Sequence, residues 1–351
     1  MTGEELAKQV KSGEIFLEGD FSGLDFEGLD ISGGIFNEVC FDNCNFTNTN
    51  LNEVAFNGCS LKNAVFCGAK VKEAKFIKSD IEKGDFTNII CEFTAFTGNK
   101  MSRADFSNST FNEMTAFNEI DLSEAVFMGV SCKKMAFASC NMKNVDFSGV
   151  NIYKTMFYDC EFEQNKFTNA CIKLSGFFNT EFQEIDFRNL DLTQVQFSNT
   201  NFNRCNFSGT ELKQGGFTGA SCENSKFDNA NLEVANFFKA NLAGSSFINA
   251  NMKMASMQNA ILTKCDFSSA NLYQAQMEGV SAENSTFSGA DLIYADLSHA
   301  DIKNSNFSNV NLFMTNLHEI DDENTKWQGS NKSIARGTDS RRLKSEQWGN
   351  K

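Results

Sequence analysis

Residues 225–253 read SKFDNANLEVANFFKANLAGSSFINANMK, and within them an apolar side chain returns every five positions: Phe227, Leu232, Phe237, Leu242, Phe247, Met252. Ala230, Ala235, Ala240 and Ala250 stand two places before four of these, and the positions between are mostly Asn, Asp, Lys, Glu or Ser. A period of five matches neither the 3.6 of a helix nor the 2.0 of an extended strand. It requires a backbone that turns every five residues.

Followed outward, the register starts at Phe16 and continues through Phe21, Phe26, Ile31 and Phe36 to Phe106 and Phe111 without a polar member. One extra residue intervenes in FNEMTAF, at 112–116, and the frame resumes at Phe117 and Leu122 and runs to Leu312 and Leu317. That makes 20 positions before the slip and 41 after it, 61 in all. Of the 37 Phe, 33 lie in this register; Phe93, Phe178, Phe238 and Phe313 do not. A single inserted residue at a corner is expected to make a bulge.

A second period of twenty lies inside the first. Four quintets make one square coil whose third face reads Phe127, Phe147, Phe167, Phe187, Phe207 and onward to Trp327, while its fourth reads Cys132, Ile152, Ile172, Leu192, Leu212 and onward to Leu312. Large and medium side chains thus alternate around the coil and fill its interior. Two residues after each third-face Phe stand Gly28, Asn48, Gly68, Asn88 and their successors to Asn309, Gly or Asn at fourteen of fifteen places. Those residues accept the positive φ of a tight turn.

Quintets such as Ala230-Asn231-Leu232, Ala240-Asn241-Leu242 and Ala290-Asp291-Leu292, repeated in tandem from residue 15 to about 319, resemble the pentapeptide-repeat family. The resemblance implies an all-β solenoid, a right-handed quadrilateral β-helix. The repeat count gives it about 15 coils, and with coils stacked about 4.8 Å apart a rod of about 70 Å. Three segments are expected: an N-terminal capping helix over 1–14, the repeat over 15–319, and a C-terminal cap and basic tail over 320–351. Thr2 and Glu5 are spaced as a capping box, with Leu6 and Val10 on one face of the helix they open. At the other end Trp327 is expected to close the third-face stack. Residues 328–351, with six basic and two acidic side chains, are expected to form a solvated tail.

Composition narrows function. The net charge of −14 disfavours nonspecific contact with nucleic acid or anionic membrane. No run of 18 apolar residues can span a bilayer, and the polar start MTGEELAKQVKSGE has no signal-peptide core, so a cytoplasmic location is expected, export by a dedicated secretion system remaining open. Nine of the twelve Cys fall at inward positions, where they serve as small hydrophobes. None has the ligand spacing of a metal site. His299 and His318 are expected at outward first-face positions of successive coils. No catalytic motif occurs, and no enzyme activity, metal or cofactor is expected.

Two surface features stand out. Tyr273, Ile293, Tyr294, Phe313 and Met314 project from the fourth face of three successive coils as a candidate patch for a protein partner of unknown identity, or for a homodimer through the C-terminal coils. Tyr158 and Phe178 form a smaller pair on the first face. The second feature is an acidic end that includes Glu18, Asp20, Asp25, Glu27, Asp30, Glu38 and Asp42; residues 1–60 hold eleven acidic residues against Lys8 and Lys11.

The first functional expectation is therefore a non-catalytic interaction scaffold, and the capped, uninterrupted repeat is similar to repeat proteins that accompany bacterial secretion machinery. The alternative is a DNA mimic that binds type II topoisomerases such as gyrase, as some family members do. Duplex DNA carries about one charge per 1.7 Å, about 40 over 70 Å. A net charge of −14 falls well short, so mimicry along the whole length is disfavoured.

Overall fold

A computed structural model describes residues 1–349. The chain divides into two compact units, Met1–Glu181 and Phe182–Lys351. Both units are parallel β-solenoids with four five-residue sides per coil. In the first, nine parallel strands, from Ile15–Asp20 to Gly176–Phe178, follow one another on the first face and mark about eight coils. Phe16 pairs with Phe36, Phe36 with Phe56 and Phe56 with Phe76. In the second unit the same 20-residue spacing appears as single parallel bridges, such as Asn231 to Asn251 and Asn251 to Asn271.

The backbone explains both the sequence motif and the lack of proline. In the quintet 46–50 the amide of Phe46 donates to Val65 O (2.6 Å) and that of Asn48 to Cys67 O (3.0 Å), both in the next coil. Thr49 N donates back to Phe46 O across the turn, and Asn50 N to Leu29 O in the coil before. The remaining amide, Thr47 N, is taken by the side chain of Asn45, whose Oδ1 accepts at 3.1 Å. All five N–H groups therefore have partners, and the last needs an Asp or Asn just before the core residue. Asp105, Asp146, Asn206 and Asp266 repeat this bond. A ladder that uses nearly all of its amide donors leaves little place for proline.

The core consists of face-to-face Phe columns. Phe207, Phe227 and Phe247 stack at 4.8 Å with planes within 3° of parallel. Trp327 lies over Phe307 at 4.9 Å with its plane tilted by 41°, at the expected end of the third-face column. At the small inward positions, hydroxyls are satisfied by the coil beneath: Thr49 Oγ1 donates to Phe26 O at 2.7 Å and Ser225 Oγ to Phe202 O at 2.7 Å. The nine inward cysteines are buried, and Cys40, Cys67 and Cys171 are partly exposed. Burial pushes the thiols up, Cys59 to about 11 and Cys44, Cys205 and Cys265 to about 12.

The slip is absorbed at the corner between fourth and first faces. Met114 takes the left-handed conformation, Thr115 N donates to Asn112 O, and the ladder resumes with Phe96 opposite Phe117, 21 residues on. At the N-terminus helix α1 (Gly3–Lys11) starts on the full Thr2/Glu5 capping box and buries Leu6, Ala7 and Val10. Where a solvated tail was expected, the chain forms a 3-10 turn at Lys332–Ile334, a bridge from Asn316 to Arg336 and helix α2 (Ser340–Gly349). Within α2, Arg342 and Glu346 hold the helix to the coils through Glu278, His299 and His318. Among the described residues no helix is long and apolar enough to cross a membrane.

Candidate interaction surface

Every corner of the repeat, not only the third, carries a residue with φ near +60°. A left-handed conformation costs an L-residue roughly 1–2 kcal/mol, least for Gly and Asn. The third-face corner meets this with Gly, Asn and one Ser, and the first- and second-face corners use Gly or polar residues. Only the fourth-face corner places bulky apolar side chains there: Phe93, Met114 and Leu174 in the first unit, and Val234, Met254, Tyr294 and Met314 in the second. All seven are exposed, from 37% for Met314 to 72% for Met114. Burial does not account for them, so the strain sits on a surface.

In the second unit these residues join the expected stripe. Tyr294 lies edge-on between Tyr273 (5.9 Å) and Phe313 (5.8 Å), and Lys253 Nζ stands 5.6 Å above the Tyr273 ring. Ladder bonds order the row, Gln274 N to Ile293 O, Tyr294 N to Phe313 O and Met314 N to Ile334 O. Tyr294, Phe313 and Met314 are exposed, while Tyr273 and Ile293 are half-buried. Val234, Met254 and the exposed Ile334 lengthen the row to six coils, about 24 Å. The sequence reading missed these three. Reading the corner column at a spacing of twenty reveals Val234 and Met254, but Ile334 required knowing that the tail folds back onto the ladder. On the first face, Tyr158 and Phe178 stack at 5.3 Å.

The acidic end divides by chemistry. Asp20, Asp25 and Asp30 each accept the amide two residues on, from Ser22, Glu27 and Ser32. The Ser22 hydroxyl, and then its amide, hold Asp20 below the usual carboxylate range; at Asp30 the largest cause is Lys11, whose ammonium lies 2.8 Å away. Asp42 accepts from Ser60 Oγ and Lys62 N. Four of the seven carboxylates therefore build turns and ladders, while Glu18 and Glu38 occupy left-handed first-face corners.

His318, expected outward, is 1% exposed because α2 covers it. Its Nδ1 accepts the Asp339 amide at 3.0 Å, which leaves the ring proton on Nε2, facing Glu346 Oε2 at 3.1 Å. His299 Nε2 lies 3.3 Å from Glu346 Oε1, and Arg342 Nε donates to the same oxygen at 2.7 Å. The hydrogen bond from His318 is the largest cause that lowers Glu346 to about 2, followed by that from Arg342. Two imidazoles and a carboxylate within 4.8 Å resemble a ligand set. The geometry opposes that use: a cation on His318 Nε2 would force a proton onto Nδ1 against the Asp339 N–H, and the Arg342 guanidinium already occupies the carboxylate. The cluster is a clasp for α2.

Family models match much of the repeat. Residues 99–177 match a pentapeptide repeat region, and residues 177–214, 217–253 and overlapping segments from 247 to 319 match pentapeptide repeats of eight copies. Residues 5–86 match the SV2A/B/C luminal domain. No curated protein sequence matches the chain. Among solved structures it is similar to HetL, a pentapeptide repeat protein involved in heterocyst differentiation regulation from the cyanobacterium Nostoc sp. strain PCC 7120, with 15% identity over 84% of this chain and 96% of that one and a TM-score of 0.20. It is also similar to full-length QnrB1, a plasmid-mediated fluoroquinolone resistance protein, with 16% identity over 60% of this chain and 99% of that one and a TM-score of 0.20. A thylakoid-lumen pentapeptide repeat protein of Arabidopsis thaliana shares 22% identity over 34% of this chain and 68% of that one, with a TM-score of 0.19. With the repeat models matched from residue 99 to 319 and the quintet register extending back to Phe16, the chain belongs to the pentapeptide-repeat family.

Proposed function

We propose that the protein is a non-catalytic interaction scaffold that captures a protein partner through the fourth-face stripe of its second unit, around Tyr273, Ile293, Tyr294, Phe313 and Met314. The observation that carries this reading is the placement of every bulky apolar left-handed residue at one corner, while the other three use Gly or polar residues. Exposed aromatic anchors held rigidly by the ladder lose little conformational freedom on binding. A partner in a bacterial secretion apparatus, or a second copy bound through the C-terminal coils, fits the same surface.

The test pairs affinity capture from the native host with light scattering, using the intact chain and Tyr273→Glu/Phe313→Glu. Loss of one stoichiometric partner, or of a dimer, with an unchanged urea midpoint supports the reading. Unchanged capture and unchanged mass sink it. The acidic first coils support a second reading, gyrase binding by DNA mimicry, which predicts an effect on gyrase supercoiling at micromolar protein. The stripe is favoured because four of the seven acidic-end carboxylates are engaged in local bonds.

A further inference from the structure

We propose that the fourth face of the first unit, from the coil of Lys70 to that of Leu174, docks an acidic amphipathic helix of a partner protein. The inference rests on the scaffold reading but concerns a different surface and names the chemistry that it takes.

The first argument is apolar. Phe93 and Met114 occupy left-handed corners in successive coils and are 51% and 72% exposed; Leu174 repeats the arrangement three coils on. Ile90, 58% exposed, sits beside Phe93 at the start of the same side. Asn or Gly at these corners would hold the turn at less cost.

The second argument is charge. From the coil of Lys70 to that of Leu174, the outward positions of this face carry six lysines (Lys70, Lys72, Lys133, Lys134, Lys154 and Lys173) against three glutamates (Glu73, Glu92 and Glu113). Over the same coils the outward positions of the second and third faces are net negative and those of the first face sum to zero. In a chain of net charge −14, a basic surface laid over exposed apolar anchors favours a partner that is both acidic and apolar.

Relief and spacing then select the form of that partner. Two open depressions of about 390 and 280 Å³ lie on this face; Lys70, Lys72, Ile90 and Glu92 border the first, and Phe93, Glu113 and Lys133 the second. Along the face Phe93 and Met114 are one coil apart, about 4.8 Å, and Leu174 lies three coils beyond Met114. Residues three or four apart on a helix are about 5–6 Å apart, so a helix laid along the ladder presents about one apolar anchor per coil. A helix of about 20 residues covers six coils and sets its carboxylates beside Lys133 and Lys154, while Lys134 is paired with Glu113.

The probe is a fluorescein-labelled 20-residue peptide with Leu at helical spacing and Glu and Ala elsewhere, compared by anisotropy on the full chain with a twin in which Lys replaces every Glu. The acidic peptide is expected to bind at least tenfold tighter than the basic one, and to weaken several-fold between 50 and 300 mM salt. Phe93→Asn/Met114→Asn is expected to weaken it at least tenfold with the fold retained, because Asn suits both corners. Lys133→Glu/Lys134→Glu is expected to do likewise. Equal binding of the two peptides overturns the proposal, as does undiminished affinity in the Asn variant. A dimer that the Asn variant dissociates also overturns it, by making a second copy the occupant. Tyr273→Glu/Phe313→Glu should leave peptide binding intact. Peptide failure alongside stripe-dependent capture thus defeats this inference alone, and the converse defeats only the stripe.

Discussion

Replacing Met114 by Asn should make the protein more stable although it deletes a large apolar side chain. Met114 has φ +64° and is 72% exposed. Burying a Met completely is worth roughly 1.5–3 kcal/mol, so the quarter of this side chain that is covered contributes about 0.5 kcal/mol. The left-handed backbone costs a Met roughly 1–2 kcal/mol, most of which Asn avoids. The balance favours Asn by about 1 kcal/mol, a rise in melting temperature of roughly 2–4 °C for a cooperative unit of this size. Met114→Ala keeps the backbone cost and loses the contacts, so it should be about 0.5 kcal/mol less stable than the parent. Asn108→Ala, at a third-face corner with φ +59°, should cost about 1 kcal/mol. Urea titrations followed by circular dichroism, with slopes unchanged across the set, supply the ranking. If Met114→Asn melts at or below the parent, or if Ala equals Asn there, the strain argument fails and with it the reason for reading the fourth-face corner as selected for contact.

Other outcomes follow from the core and the clasp. Phe227→Ala, which removes one ring from a column stacked at 4.8 Å on both sides, should cost about 3–5 kcal/mol in the same titration; a loss below about 1 kcal/mol would mean that the columns repack. Ellman's reagent should titrate only Cys40, Cys67 and Cys171 in the native protein and the other nine thiols only on unfolding, and rapid reaction of more than three contradicts the burial assignment. The depressed Glu346 carboxyl contributes docking of α2 that is complete above its ordinary value near 4.5 and is lost as pH falls through about 2. Limited proteolysis after Arg341 and Arg342 should therefore accelerate in Glu346→Gln at neutral pH, and equal cleavage rates would detach the clasp from that carboxylate.

What could be read from the sequence was what repeats. Phe227 and Leu232 announce their own burial because a period of five has one physical solution, and Thr2 with Glu5 announces a helix start because the capping box is local. Conformation at the corners was legible only where Gly and Asn mark it; nothing in the letters of Phe93 or Met114 states a positive φ. His318 was misread because its cover, Glu346, lies 28 residues further along in a segment whose composition suggests solvation. The stripe was half visible: Tyr294 and Phe313 break the polar rule of outward positions, whereas Ile334 joins them only after the chain turns back.

The amide accounting within a quintet also bears on how such a chain can change length. Because each coil is bonded to the one before and the one after, removing or duplicating twenty residues inside a unit restores every donor to an equivalent acceptor. A deletion of one residue within a side would instead shift all later side chains from interior to exterior. The extra residue among 112–116 shows the exception, since a corner can swallow it and pass the register on unchanged. Genetic growth of this protein is thus quantised: whole coils are neutral currency for recombination, and single-codon indels survive only at the bends.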